Sequence, residues 1–414
     1  MDPAELTLVD ARRAIGAGEL SPVELLDAVL DRVRARNDEL RAYLLVDENG
    51  ARAAARAAEA AARDGDARPL LGIPLCIKDV IDVAGLPTTA GGKGWRREPS
   101  EDAVAVARLR AAGAVFVGKG NTNEFAYGID GRNPHWGDVP NPLDTKLLCG
   151  GSSSGPAAAT ATGMALAGLG TDTTGSLRVP ASLCGLVALR PTLGTPPTRG
   201  VVALSWSYDT VGPIARTVED AAVLWSVLAG DETVHRDARL PRVGVLDQLM
   251  AGTAAPVAEG VRRVAVALDA EQVELTELRH TEALHTIVLA CEASADHDPW
   301  FAEQRERYSQ VVRERIELGR TIPGHRLAAR PAGPAAVRGG VRADDGGRGT
   351  CSGAGAHDAR RRFGAGRGRG RPAGGAACRG APAQPDGRAG HLGAGRHRRR
   401  RPALRDPAGG AGGG

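Results

Sequence analysis

The chain contains no C-x-x-C pair, and no histidine stands at zinc-ligand spacing from any of its six scattered cysteines, Cys76, Cys149, Cys184, Cys291, Cys351 and Cys378. A structural zinc site and a disulfide framework are both disfavoured, reduced thiols are expected, and neither a metal nor an organic cofactor is expected. Cys76 and Cys184 fall inside apolar runs and read as small core residues without chemistry. The nine histidines form no catalytic pattern. The opening stretch MDPAELTLVDARRAIGAGEL has neither a basic leader nor an unbroken apolar run. That argues against secretion and membrane insertion, so a cytoplasmic protein without a membrane partner is expected.

The last 84 positions lack still more. Pro331–Gly414 contains no Ile, Lys, Asn, Tyr, Trp or Met, and 66 of its residues are Gly, Ala, Arg or Pro. Such a composition cannot build a core. Its seventeen arginines face five aspartates and no glutamate, so the net charge of +4 belongs to this tail and the remainder is acidic. These four residue types are the ones whose codons can be written with G and C alone, and residues 327–414 read as an out-of-frame product of a GC-rich gene or a disordered tail. The rival reading is an arginine-glycine arm for nucleic acid, with GAGRGRGRPAGG as its motif. Phe363 is one aromatic where base stacking would want several, so nucleic acid is not the expected partner.

Ahead of the tail, helix and strand signals alternate. Ser21 and Glu24 form a capping box with Pro22 at the first helical position, followed by Leu26, Val29, Leu30 and Val33 at helical spacing. A second, alanine-rich helix is predicted over Ala51–Arg63. GIPLCIKDVIDVAG reads as strand, turn and strand. Ser100 is predicted to cap a helix running through Ala112 and stopped by Gly113, with a buried strand over Ala114–Val117. The alternation implies an α/β protein with a mixed sheet flanked by helices. At 414 residues with 42% apolar and 25% charged, the composition is that of a soluble globular chain.

Two look-alike motifs carry less than they promise. Gly113–Gly120, GAVFVGKG, has the spacing of a phosphate loop, but its middle is an apolar strand and Gly120 replaces the magnesium-binding hydroxyl. Gly151–Gly155, GSSSG, fits the nucleophile elbow of an α/β-hydrolase with Ser153 as nucleophile, yet NPLDTKLLC before it begins with loop residues and no later histidine is framed as a base.

A different pattern is more informative. Lys78 follows the apolar run Ile73–Ile77, which would take its ammonium out of water, and two serine clusters, Ser152–Ser154 and Ser176, are embedded in small apolar residues suited to a buried helix and strand. A serine hydroxyl becomes a good nucleophile only when something accepts its proton, and a lysine can do so only when neutral. Lowering the lysine pKa by three units takes roughly 4 kcal/mol, within what an apolar pocket imposes.

The blocks GIPLCIKD, GGSSSG and GTDTTGSLRVPA together resemble the amidase signature family, serine hydrolases of carboxamides, over roughly Leu70 to Arg326. NTNEFAYGIDGRNPHWGDVPNP is similar to that family's linking loop, and CEASADHDPW with RERIELGRTIPG to its later helices. The resemblance implies Ser176 as nucleophile, Ser152 as a bridging serine in a cis peptide and Lys78 as base. It further implies an oxyanion hole from the backbone N–H groups of Thr173, Thr174, Gly175 and Ser176, with Ser153, Asp172 and Arg178 bracing the loop. Thr174 stands where glycine is common. The implied organisation is a catalytic domain over residues 1–326, with N-terminal helices over about 1–66 and a core over about 67–326. The family would continue where the tail stands, so the fold reads as C-terminally incomplete and the activity of this chain is open. The expected function is hydrolysis of a small-molecule carboxamide to a carboxylate and ammonia. The alternatives are the A subunit of a tRNA-dependent amidotransferase and a nonenzymatic nucleic-acid binder. A homo-oligomer is left open.

Overall fold

A computed structural model describes residues 2–230 and 242–324; the arginine-glycine tail lies outside the described residues. Thr7 caps α1 (Leu8–Gly16) by accepting the Asp10 N–H. Ser21 and Glu24 close the expected capping box at the head of α2 (Pro22–Leu40), which buries Leu25, Leu26, Val29, Leu30 and Val33. After β1 (Tyr43–Val46) comes α3 (Glu48–Arg63). It starts ahead of Ala51 because the Asp47 carboxylate accepts the Gly50 N–H and sets the cap earlier.

The buried strand β2 (Pro74–Lys78) forms as predicted, but no second strand follows its turn. Ile81 and Val83 make only isolated bridges, to Val201 and Leu86, while Asp79 and Asp82 on either side are drawn into side-chain hydrogen bonds with Thr89 and Thr88. Ser100 does not cap the next helix. α4 (Val104–Ala111) begins after Ala103, with no side-chain cap. The Ala103 and Val104 amides donate instead to the carbonyls of Asp82 and Arg199, so distant backbone does the work of a cap.

β3 (Val115–Gly120) is buried throughout and carries the phosphate-loop look-alike as plain strand. A small hairpin, β4 (Pro140–Asn141) with β5 (Asp144–Leu148), comes next. The residues before GSSSG are therefore a strand rather than a loop, but an exposed one outside the main sheet. α5 (Ser154–Ala161), β6 (Ala167–Asp172), α6 (Arg178–Leu183), β7 (Val187–Ala188), β8 (Thr210–Ala215) and α7 (Val218–Ala229) complete the first part. The rest comprises α8 (Ala255–Ala267), a parallel pair β9 (Gly244–Val245) and β10 (Glu271–Gln272), and two packed helices, α9 (Thr281–Gln304) and α10 (Gln310–Thr321).

Six strands form one sheet in the order β1-β3-β2-β6-β8-β7. β2 runs parallel to both β3 and β6, whereas β1, β7 and β8 pair antiparallel to their neighbours. The mixed α/β sheet read from the sequence is thus the observed one. Its central strands β2, β3 and β6 are buried along their whole length. α5 is built from Gly and Ala so that it can lie close: a Cβ at Gly155 would sit 2.2 Å from the Ala42 carbonyl oxygen. α10 nestles on α9 in the same way, with Gly319 against the Ala290 carbonyl. No described helix is long and apolar enough to cross a membrane.

Candidate active site

Lys78 ends β2, between the two parallel neighbours β3 and β6, with no exposed surface. Its Nζ lies 2.7 Å from Ser152 Oγ and 2.7 Å from Thr171 Oγ1. Burial pulls its pKa down to about 7, against the opposing charges of Asp209 and Asp172. Among the described residues no carboxylate touches it.

Ser152 follows a cis Gly151–Ser152 peptide bond. The preceding glycines are required by crowding: Gly150 has φ +79°, and a Cβ at Gly151 would lie 2.2 Å from Asn123 Oδ1. Ser153 joins the two serine loops. Its N–H donates to the Ser176 carbonyl at 3.1 Å, and its hydroxyl donates to the Thr171 carbonyl at 3.1 Å while accepting the Thr171 N–H at 3.3 Å.

Ser176 lies in the loop joining β6 to α6 and is 3% exposed. Its Oγ has no hydrogen-bond partner among the described residues. The loop is wound round the buried Asp172 carboxylate. That group accepts the Gly175 N–H at 2.8 Å, the Leu177 N–H at 3.2 Å, Arg178 Nε and Nη2 at 3.0 Å each, and Arg190 Nη1 at 2.8 Å. Burial pushes the Asp172 carboxyl up, but the Arg178 hydrogen bonds and the charges of Arg178 and Arg190 outweigh it and hold it below its ordinary value. Gly175 has φ +136°, which favours glycine.

Of the four amides expected to face an oxyanion, that of Gly175 donates to Asp172, whereas those of Thr173, Thr174 and Ser176 have no partner among the described residues. The physical reason is the tight turn that Asp172 closes three residues ahead of itself.

Several residues around the loop were not singled out from the sequence. Thr171 contacts the lysine directly, and Arg190 braces Asp172 from 18 residues away. Asp209 accepts the Thr173 hydroxyl at 2.6 Å and the amides of Leu204 and Ser205. Burial raises its pKa in spite of those bonds. From α9, His285 Nε2 meets Thr174 Oγ1 at 2.7 Å, and the buried Glu292 accepts Ser205 Oγ at 2.5 Å and the Ser207 N–H at 3.0 Å. The only sequence signal for Asp209 is an acid at the entrance of the wholly buried run TVGPIA; the contacts from α9 leave none.

His135, in the linking loop, pairs with the buried Glu124 at 2.7 Å and touches neither serine. Among the described residues no three His, Cys, Asp or Glu side chains converge as metal ligands would.

The chain is similar to several known proteins. The A subunit of the glutamyl-tRNA(Gln) amidotransferase of Roseiflexus sp. (strain RS-1) is 41% identical over 315 residues, 70% of this chain and 65% of that protein. Its counterpart in Salinibacter ruber is 43% identical over 242 residues, 58% of this chain and 47% of that one. The chain therefore spans less than two thirds of these curated relatives. Among solved structures, an amidase superposes with a TM-score of 0.75 at 36% identity, covering 80% of this chain and 78% of that one. The peptide amidase of Stenotrophomonas maltophilia follows with a TM-score of 0.67 at 28% identity, covering 78% of each. The sequence profile of the Amidase family matches residues 24–299, where the lysine strand, both serine loops and most of α9 lie, and the chain belongs to that family.

Proposed function

We propose that this chain is a serine amidase in which Lys78, Ser152 and Ser176 act as one proton-transfer unit. The observation that carries the reading is a lysine without exposed surface, held 2.7 Å from a hydroxyl by burial and not by a counter-ion. A neutral amine there can donate one hydrogen to Thr171 and direct its lone pair at the Ser152 hydroxyl. Ser152 hands its proton to Lys78 as it takes the proton of Ser176, and Ser176 Oγ attacks the amide carbon. The resulting oxyanion would be met by the amides of Thr173, Thr174 and Ser176. The relay then runs backwards and protonates the departing nitrogen. Water follows the same route to release the carboxylate from Ser176.

Arg178, Arg190 and Asp209 do not enter the proton path. Their contribution is a loop held rigid before the charge develops, as electrostatic stabilisation demands. No step calls for a metal or an organic cofactor. The test is ammonia release from a panel of primary carboxamides by the full-length protein. Ser176→Ala and Lys78→Ala should each abolish turnover and Ser152→Ala should cut it severely, because groups acting as a unit fail together. A Lys78→Ala protein with full turnover would overturn the assignment.

The curated relatives favour a second reading, in which the same unit releases ammonia from glutamine as one component of an amidotransferase. Ammonia release that appears only with partner subunits and charged tRNA would select it. Release from simple amides by the isolated chain selects the first.

A further inference from the structure

Each serine-bearing arm carries a cysteine for which the proposed chemistry has no use. Cys149 stands three residues before Ser152, at the end of the β4–β5 hairpin, and Cys184 follows α6, eight residues after Ser176. Their Sγ atoms lie 3.3 Å apart, and Cys184 Sγ is 3.6 Å from the Cys149 carbonyl oxygen, so one sulfur sits against both the side chain and the backbone of the other residue. Both are buried, at 0% and 3% exposure. Among the described cysteines no other two sulfurs meet.

We propose that Cys149 and Cys184 form a reversible disulfide that couples the oxidation state of the protein to the spacing of the Ser152 and Ser176 arms. The oxidant by class is a peroxide, small enough to reach Cys184, which keeps 3% of its surface exposed. Cys184 attacks the peroxide as thiolate, taking one oxygen to become a sulfenic acid and releasing water. Cys149 then attacks that sulfur and expels a second water. Two thiols and one hydrogen peroxide give one disulfide and two waters: the sulfur pair loses two electrons and the peroxide gains them. Cys184 is the fitter first partner, since its hydrogen bond with Cys149 lowers its pKa while that of Cys149 is raised.

Bond formation draws the sulfurs from 3.3 Å to about 2.05 Å. That movement is shared between a segment ending on Ser152 and a short helix beginning beside Ser176. A hydrogen bond of 2.7 Å between Lys78 and Ser152 tolerates little displacement, so the oxidised form should turn over more slowly. The existence of the bond does not depend on the amidase reading; its consequence rests on that reading.

The experiment treats the reduced full-length protein with hydrogen peroxide, digests it with trypsin without reduction, and measures amide turnover in parallel. Cleavage after Lys146 and Arg178 puts the two cysteines on separate peptides. A linked pair two hydrogens lighter than its parts is expected, with turnover down at least fivefold and restored by dithiothreitol. Cys149→Ala and Cys184→Ala should keep basal turnover and lose the peroxide response; either suffices if the other fails to fold. Both thiols remaining free to alkylate, or an equal peroxide response in the variants, would overturn the proposal. The linked peptide is read without any turnover, so failure to hydrolyse amides would count against the preceding reading alone.

Discussion

Two lysines of this chain have no exposed surface, and they stand on neighbouring strands of one sheet, with Lys119 of β3 opposite Ile77 and Gly120 opposite Lys78. Being one residue out of step, they point to opposite faces. Lys119 is given what an ammonium needs: Asp79 Oδ1 at 3.0 Å, Thr88 Oγ1 at 2.9 Å and the Pro87 carbonyl at 3.2 Å. Among the described residues Lys78 meets only two hydroxyls. Burial depresses the pKa of both, but for Lys119 the charge and hydrogen bond of Asp79 act in direct contact against it. The comparison separates burial, which both share, from the missing counter-ion, which only one has. On the proposed reading it is the second that makes a base.

The largest effects should divide along that line. Lys78→Met should reduce turnover about 10⁴-fold, the upper range for a lost general base, while leaving the denaturation midpoint at pH 7 unchanged or raised. Lys119→Met should do the reverse, destabilising the fold by about 3–5 kcal/mol because Asp79 is left as an uncompensated buried carboxylate. Chemical denaturation and a turnover assay on both variants check the pair. Equal loss of stability in the two would break the comparison.

The pH dependence sharpens it. With Lys78 at about pKa 7 in the folded state, kcat/KM should rise with pH through about 7 and level off above it. Asp209→Asn should move that limb to lower pH, since the Asp209 charge favours the protonated lysine. Stability carries the same sign. A lysine with a depressed folded pKa contributes its full share above the unfolded value near 10.5 and loses it as the pH falls to about 7, because the unfolded chain then binds a proton the folded chain refuses. Wild type should gain stability relative to Lys78→Met between pH 7 and 10, by at most about 5 kcal/mol. A wild-type curve parallel to that of the variant would mean that the amine is solvated.

The lysine itself was legible in the sequence, and the reason is local. Five apolar residues before it place it at the end of a central strand, and both serine loops announce themselves by glycine and serine in a small-residue setting. The support for the Ser176 loop was not legible, because it comes from afar. Asp209 reaches Thr173 across 36 residues, and Glu292 reaches Ser207 across 85. No periodicity encodes such contacts. The misplaced start of α4 has the same cause: Ser100 is a good cap by type, but the carbonyls of Asp82 and Arg199 had already taken the amides.

That remote support gives an intermediate effect. Glu292→Ala would leave the hydroxyls of Ser205 and Ser207 without their acceptor inside the fold, at a cost of about 1–3 kcal/mol, and it would loosen the segment that carries Asp209. Turnover should fall roughly tenfold, less than for any member of the proton path, since a positioning residue lost changes geometry and not chemistry. Glu292→Gln, which can still accept from one serine, should recover part of both.

The smallest effect belongs to His135, and it tests the comparison from the other side. Histidine is the usual base in serine hydrolases, and His135 is partly buried beside an acid, Glu124 Oε1, at 2.7 Å. Its partner, however, is committed elsewhere as well: Glu124 Oε2 accepts the Ser309 N–H at 3.0 Å and so ties the linking loop to the head of α10. The pair is a strut, and neither group bonds to Ser152 or Ser176. His135→Ala should therefore cost about 1 kcal/mol of stability, the worth of one hydrogen bond, and leave kcat within about twofold. A protein that lost turnover on His135→Ala but kept it on Lys78→Ala would reverse the roles assigned to the two residues, and the buried lysine would then be no more than a second strut.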